Sequence, residues 1–207
     1  MPDIGAPRRV LDLGCGQRKL PGAVGMDRVP GEGVDVVHDL NEFPYPFEDS
    51  SFDEIHLTDV IEHVGEIRCV MEEIHRIGRP GASVYIATPH FSSEGSYRDP
   101  AHRWHLSVHS FDYFATWFPY NWSTVGRFEI VRRHVRIAGI PRYLGIEWLL
   151  NHTAEKKIPV LRGLRKLWER HFCWIAPGRT MRFHLRVVKD APAAPTGKDD
   201  PAAAERQ

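Results

Sequence analysis

The run Leu11-Asp12-Leu13-Gly14-Cys15-Gly16 ends an apolar stretch on two closely spaced glycines. Its chemistry is backbone approach to a ligand. Glycine accepts positive φ and carries no Cβ, so a strand ending here turns sharply and comes close to a flat nucleoside with a charged tail. Two carboxylates follow at later strand ends. Asp27 suits the two hydroxyls of a ribose, and Asp39 falls beside where an adenine edge would lie. A second concentration of reactive side chains comprises His90, His102, His105 and His109. An imidazole titrating near neutrality suits a general base, and an aspartate can orient it. His90 and His102 are the candidate bases, with Asp99 as the orienting carboxylate. The plainer reading of Asp99-Pro100-Ala101-His102 is a turn capped by Asp99, with His102 tying down backbone. Asp99, His102, His105 and His109 could also offer nitrogen and oxygen ligands to a divalent metal. His105 and His109 share a face only if that stretch is helical, which Pro100 and Val108 oppose, so a metal-free site is the reading adopted. His63 reads equally as a packed core histidine.

These residues need strands that end at one edge. Arg8 to Leu13, Ala23 to Met26, Val34 to His38, Phe52 to Leu57 and Ser83 to Ala87 read as five strands. From Glu66 to Ile77 the apolar residues Ile67, Val70, Met71, Ile74 and Ile77 recur at helical spacing, and Gly78 with Pro80-Gly81 ends the run. Ser110 is the expected cap of a short aromatic helix from Phe111 to Phe118. Phe128 to Ile137 and Met181 to Val188 complete the strands. The alternation gives an α/β fold with a mostly parallel sheet. Residues 1–189 form the expected domain, with a helical insertion over 140–179. Residues 190–207, rich in Ala, Pro and charge, form a tail too poor in apolar groups to fold.

Composition narrows the partners. Basic and acidic residues balance at 27 each, so no global field gathers nucleic acid, and none is expected as a partner. No apolar run reaches the roughly 20 residues that span a bilayer, which with the polar start points to a cytoplasmic protein. Cys15, Cys69 and Cys173 match no disulfide framework or zinc knuckle. A dinucleotide dehydrogenase would need a third glycine where Lys19 stands, and a full helix after it.

Several motifs then occur in order. Leu11 to Gly16, Asp27, Val36-Val37-His38-Asp39-Leu40, Phe47 to Asp53, Val60-Ile61-Glu62-His63 and Arg79-Pro80-Gly81-Ala82 together resemble the small bacterial class I methyltransferases of the type 11 kind. The resemblance covers about the first half of the chain. It implies a seven-stranded Rossmann-like sheet with helices on both faces and S-adenosylmethionine as methyl donor. Carried over by position, Asp12, Leu13, Gly14, Cys15 and Gly16 would hold the methionine end, Asp27 the ribose, Asp39 and Leu40 the adenine. Thr58, Asp59 and Val60 would lie near the amino group or sulfonium. The chain departs from the pattern in having only Gln17 to Gly22 between the glycine loop and the second strand, too little for the usual helix.

The Asp-Pro-x-His element with its following Ser-Phe-Asp-Tyr-Phe run is similar to small methyltransferases of bacterial surface-sugar gene clusters. It implies an oxygen acceptor, either a small molecule or a sugar hydroxyl on a glycan or its lipid-linked precursor. A noncatalytic interaction module that keeps the nucleoside pocket is the alternative from another class. In the class I arrangement the insertion joins the last two strands and overhangs the acceptor. It places Val160, Leu161, Leu164, Leu167, Trp168, Phe172 and Ile175 on one helical face. Lys156, Lys157, Arg162, Arg165, Lys166 and Arg170 lie on the others. Residues 156–170 are thus expected either to be a solvated basic face or to contact the inner membrane surface.

Overall fold

The computed structural model describes residues 8–119, 124–155 and 163–189. Seven strands form one sheet: β1 (Val10–Leu13), β2 (Val24–Asp27), β3 (Val36–Val37), β4 (Phe52–Thr58), β5 (Gly78–Pro89), β6 (Phe128–Ile137) and β7 (Gly178–Val187). Their order is β3-β2-β1-β4-β5-β7-β6. β1 to β5 are mutually parallel, while β7 runs antiparallel to both β5 and β6. This is the seven-stranded class I arrangement expected from the sequence. The chain steps outward from β1 to β3, then returns to the other side of β1 as β4. That reversal opens a crevice at the carboxyl ends of the central strands.

Register separates the two sides of the sheet. Leu11, Ile55, Val84 and Leu185 form one cross-strand row, and Leu13, Leu57, Ile86 and Phe183 the next on the same side. All eight are buried in the hydrophobic core. Alternation sends the residues between them to the other side, as the row Asp12, His56, Tyr85 and His184. In that row the His56 and His184 rings stack on Tyr85 at 4.9 and 4.5 Å. The helix α1 (Ile67–Ile77) joins β4 to β5 and buries Val70, Met71, Ile74 and Ile77, the face that its periodicity predicts. Gln17 to Gly22 holds turns and no helix, as its length requires.

A carboxylate on α1 ties the loop after β3 to the helix. Glu73 accepts the Tyr45 N–H at 2.7 Å and pairs with Arg76 at 2.7 Å, and the buried Tyr45 hydroxyl donates to the Leu40 carbonyl. Burial pushes the Glu73 carboxyl up, but the bonds from Arg76 and Tyr45 outweigh it and hold it below the ordinary range. A depressed folded-state pKa stabilises the fold at neutral pH, and that stabilisation fades as pH falls through and below the usual glutamate range. Glu73→Gln should therefore cost about 1–3 kcal/mol at pH 7. In urea melts the gap between variant and wild type should close progressively on acidification.

The later elements depart from expectation in detail. The aromatic segment forms a 3-10 turn over Ser110–Phe114, and Ser110 lies inside it; its hydroxyl accepts the Ser107 N–H rather than capping an α-helix. The 90–105 stretch contains a short helix α2 (Glu94–Arg98), capped by Ser93. The insertion holds α3 (Ile146–Glu155) and α4 (Leu164–Leu167), the latter continuing into a π turn over Trp168–Phe172. Asn151 on α3 bonds both the N–H and the carbonyl of Val135 and so caps the free edge of β6. Arg165, expected on a solvated basic face, is buried with its guanidinium on the Arg133 and Leu150 carbonyls. Leu167, Phe172 and Ile175, expected to be buried, are exposed, while Trp168 is buried. The π turn rotates the residues from Phe172 onward out of the phase of a single long helix. Lys156, Lys157, Val160, Leu161, Arg162 and the 190–207 tail lie outside the described residues. No described helix is long and apolar enough to cross a membrane.

Candidate functional site

A cleft of about 630 Å³ opens at the carboxyl ends of β1 to β4. Gly14, from the turn after β1, forms its floor together with Val60. Gly14 has φ +68°, and a Cβ there would come within 2.5 Å of the Val60 side chain, so only glycine lets the two loops close on each other. Asp27 at the end of β2 lines the cleft and anchors the loop, since its carboxylate accepts the N–H groups of Gly16 at 2.9 Å and Val29 at 3.0 Å. Asp39 and Leu40, following β3, line the adjoining wall. The Asp39 carboxyl is held below its ordinary range by the Asn41 N–H. Asn41 then accepts the Gly65 N–H at 2.6 Å, tying this wall to the loop after β4. Asp59, in that loop, adopts φ +55°, which is uncommon for a side-chain-bearing residue outside turns and functional loops.

The histidine-bearing loop closes the other side. Asp99, Pro100, Ala101 and Arg103 line the cleft opposite the strand ends, with His63 and Val64 beside them. The loop is pinned by backbone bonds: the Glu62 carbonyl accepts the N–H groups of Arg103 and Trp104, and the Trp104 indole donates to the Val64 carbonyl at 2.8 Å. Asp99 accepts the Ala101 N–H at 2.8 Å, the turn-capping bond that the plainer sequence reading anticipates. His102 stands behind His63, with ring centroids 4.6 Å apart and edge to face.

The structure thus brings Gly14, Asp27, Asp39, Leu40, Asp59, Val60 and Asp99 to one cavity, and sets the other candidates apart from its lining. Leu13 belongs to the core. Cys15 is buried, and burial with the nearby Asp12 and Asp27 charges pushes its thiol up. Asp12 lies on the opposite side of the sheet and holds the loop from behind by accepting the Leu20 N–H at 2.9 Å; burial raises its carboxyl. Gly16 contributes its N–H to Asp27, and Thr58 precedes the lining residues. His90 is fully buried, bonded through Nδ1 to the Ser92 hydroxyl and through Nε2 to Glu169, and packed against Phe91 and Trp168. His105 stacks on Tyr97 and bonds Ser96, while His109 bonds Asp112 and Arg133. The four-ligand set Asp99, His102, His105 and His109 does not converge, because each of the last two points to partners of its own.

Arg28, Asn41, His63 and Arg103 also line the cleft, and only His63 had drawn attention in the sequence. Arg28 follows Asp27 directly, and position beside a candidate ligand was the one signal available for it. Four carboxylates (Asp27, Asp39, Asp59 and Asp99) face two guanidinium groups across the same space. Such a lining accommodates a zwitterionic ligand with extra positive charge.

A methyltransferase-domain family matches residues 1–123 of the chain. Among curated proteins none matches. A SAM-dependent methyltransferase from Archaeoglobus fulgidus superposes with a TM-score of 0.56 at 16% identity, covering 86% of each chain. An S-adenosylmethionine-dependent methyltransferase from Mesorhizobium loti gives 0.50 at 15% identity, over 90% of this chain and 93% of that one. Haemonchus contortus phosphoethanolamine N-methyltransferase 2, solved with S-adenosyl-L-methionine, gives 0.51 at 17% identity, over 90% of this chain and half of its own. With its family match spanning more than half the sequence and its sheet in the class I strand order, this chain belongs to the methyltransferase-domain family.

Proposed function

We propose that this protein transfers the methyl group of S-adenosylmethionine to an oxygen nucleophile, a sugar hydroxyl on a surface glycan or its lipid-linked precursor. The observation that carries the donor assignment is the convergence of Gly14, Asp27, Asp39 with Leu40, and Asp59 with Val60 on one cleft at the topological switch point. In this reading the methionine end lies over Gly14, the ribose hydroxyls bond Asp27, and the adenine edge meets Asp39 and Leu40. The sulfonium, a fixed cation, then falls near Asp59. Its volume is in the range of small-molecule sites.

Methyl transfer is a direct displacement: the acceptor oxygen forms a bond to the methyl carbon as the carbon–sulfur bond breaks, and the hydroxyl proton leaves. The protein's part is to align oxygen, carbon and sulfur and to receive that proton. Asp99 and His63, opposite the strand ends, are the lining groups able to receive it. The oxygen acceptor and its sugar class rest on the resemblance of the Asp99 to His102 element and are tested by product. Purified protein is incubated with methyl-labelled donor and a panel of glycans, lipid-linked sugars and small hydroxylated molecules. Labelled glycan or lipid-linked product is the expected result; donor binding with no labelled product from any acceptor would overturn the activity.

Asp27→Asn should raise the donor's Kd by about tenfold or more, because the ribose loses a charged acceptor and the glycine loop one of its anchors. Calorimetry reads this directly, and a melting temperature within a few degrees of wild type would show that the loss is local.

A further inference from the structure

At the acceptor wall lies a cluster of which the methyl-transfer reading uses only His63. Glu62, His63 and His102 each present one oxygen or nitrogen, and these three atoms lie within 4.8 Å of one another. Glu62 is 1% exposed. Its Oε2 accepts the Thr88 hydroxyl at 3.1 Å, but its Oε1 is buried with no hydrogen-bond partner and stands 4.0 Å from Nε2 of His102. A buried carboxylate oxygen without a donor is costly, by about 1–3 kcal/mol or more.

The two imidazoles are already oriented as ligands are. Nδ1 of His102 meets the Ser96 carbonyl at 3.0 Å, and Nδ1 of His63 meets the Ala101 carbonyl at 3.3 Å. A carbonyl can only accept, so each Nδ1 carries a proton, and Nε2 is the nitrogen that offers a lone pair when the ring is neutral. Metal-ligating histidines are held in this way, with the second ring nitrogen donating to a backbone carbonyl that fixes tautomer and ring angle. From these contacts we infer that Glu62, His63 and His102 form a binding site for a divalent transition cation, Zn²⁺, Fe²⁺, Mn²⁺ or Co²⁺, at the edge of the cleft.

Two imidazoles and one carboxylate suit these cations rather than Ca²⁺ or Mg²⁺, which prefer all-oxygen sets. Ligand atoms around a tetrahedral ion at ~2.1 Å are about 3.4 Å apart, so side-chain rotations of an ångström or so would close the cluster. Three protein ligands leave coordination positions open. His63 lines the cleft, so those positions face the acceptor side. A hydroxyl bound there would become more acidic, and with His63 engaged, Asp99 on the same wall is left to receive its proton. This role rests on the proposed methyl transfer, whereas the site itself does not.

The test uses the full chain and the metal alone. Purified, chelator-treated protein is titrated with Co²⁺, read by its visible absorption, and with Zn²⁺ by calorimetry. One saturable equivalent is expected, with affinity lowered at least 100-fold in His102→Ala, Glu62→Gln and His63→Gln. Glu62→Gln preserves shape and His63 sits at the cleft wall, so these two keep the result interpretable if His102→Ala melts early. Donor affinity should stay within about twofold in His102→Ala and Glu62→Gln, neither of which lines the cleft. No saturable equivalent, or one unchanged in the variants, would overturn the site. Metal binding without methyl transfer to any acceptor sinks the enzymatic reading instead and leaves the site standing.

Discussion

A Gly14→Val variant is expected to lose S-adenosylmethionine binding, with affinity down by at least ~100-fold in calorimetry. Two effects act at one position. The backbone there has φ +68°, a conformation that β-branched residues strongly disfavour. Even the first added carbon meets both methyl groups of Val60, at 2.5 and 3.0 Å. Relief requires moving Val60 and the loop after β4, and that loop carries Asp59 as well. Gly16 supplies the control. It too has positive φ, +52°, but a Cβ there meets nothing within 4 Å, so Gly16→Ala carries only backbone strain of about 1 kcal/mol, roughly a fivefold effect. Equal losses at both positions would show that flexibility, rather than the approach of Gly14 to Val60, is what the donor site needs.

The second large effect separates a structural histidine from a catalytic one. His90→Ala should destabilise the fold by roughly 3–5 kcal/mol in urea melts while leaving the donor's Kd unchanged. The ring fills a fully buried space between β5, β7 and the insertion, and the alpha carbon of Gly178 approaches so closely that a Cβ there would sit 2.7 Å from it. Its Nε2 contacts Glu169, whose carboxylate also accepts the Val108 N–H at 2.9 Å. Burial raises the Glu169 carboxyl, but the His90 and Val108 bonds outweigh burial and leave it below its ordinary range. The pair therefore supports the fold above the usual glutamate pKa, and the support is lost as pH drops through the depressed value. Glu169→Ala should reproduce most of the His90→Ala destabilisation by stripping the same bonds. If His90→Ala instead melted like wild type and abolished methyl transfer, the base first suggested by the sequence would be reinstated.

Much of the strand-end wall of the cleft was readable along the chain. Leu11 to Gly16, Asp27 and Asp39 are local features: each sits at the end of a short apolar run, and strands that run parallel must deliver their ends to one edge. The α1 stripe was legible for a similar reason, because four buried residues at three- and four-residue steps define one face whatever they pack against. Asp12 shows the limit. It belongs to the same motif as Gly14, yet alternation along β1 sends its side chain to the far side of the sheet, where it braces the loop and stays out of the cleft lining.

The wall opposite the strand ends depends on contacts between distant parts of the chain. A glycine turn, strand-end carboxylates and a loop dense in histidines are legible along the chain; those histidines cannot be ranked there, since imidazoles in irregular chain have no period to betray their neighbours. Contacts across 26 to 79 residues ranked them: His90 went to Glu169 in the insertion, His102 to His63 and Glu62, and Glu62 itself to Thr88. The insertion misled for a related reason. Its pattern fits one long helix, but in the described residues α4 runs on into a π turn, which changes the phase by which residues share a face. Phe172, in the turn, is exposed, whereas Arg165, in the helix before it, is buried through its bonds to the Arg133 and Leu150 carbonyls. Periodicity reports a face only while one geometry persists, and which geometry persists depends on the carbonyls and rings that the rest of the fold brings alongside.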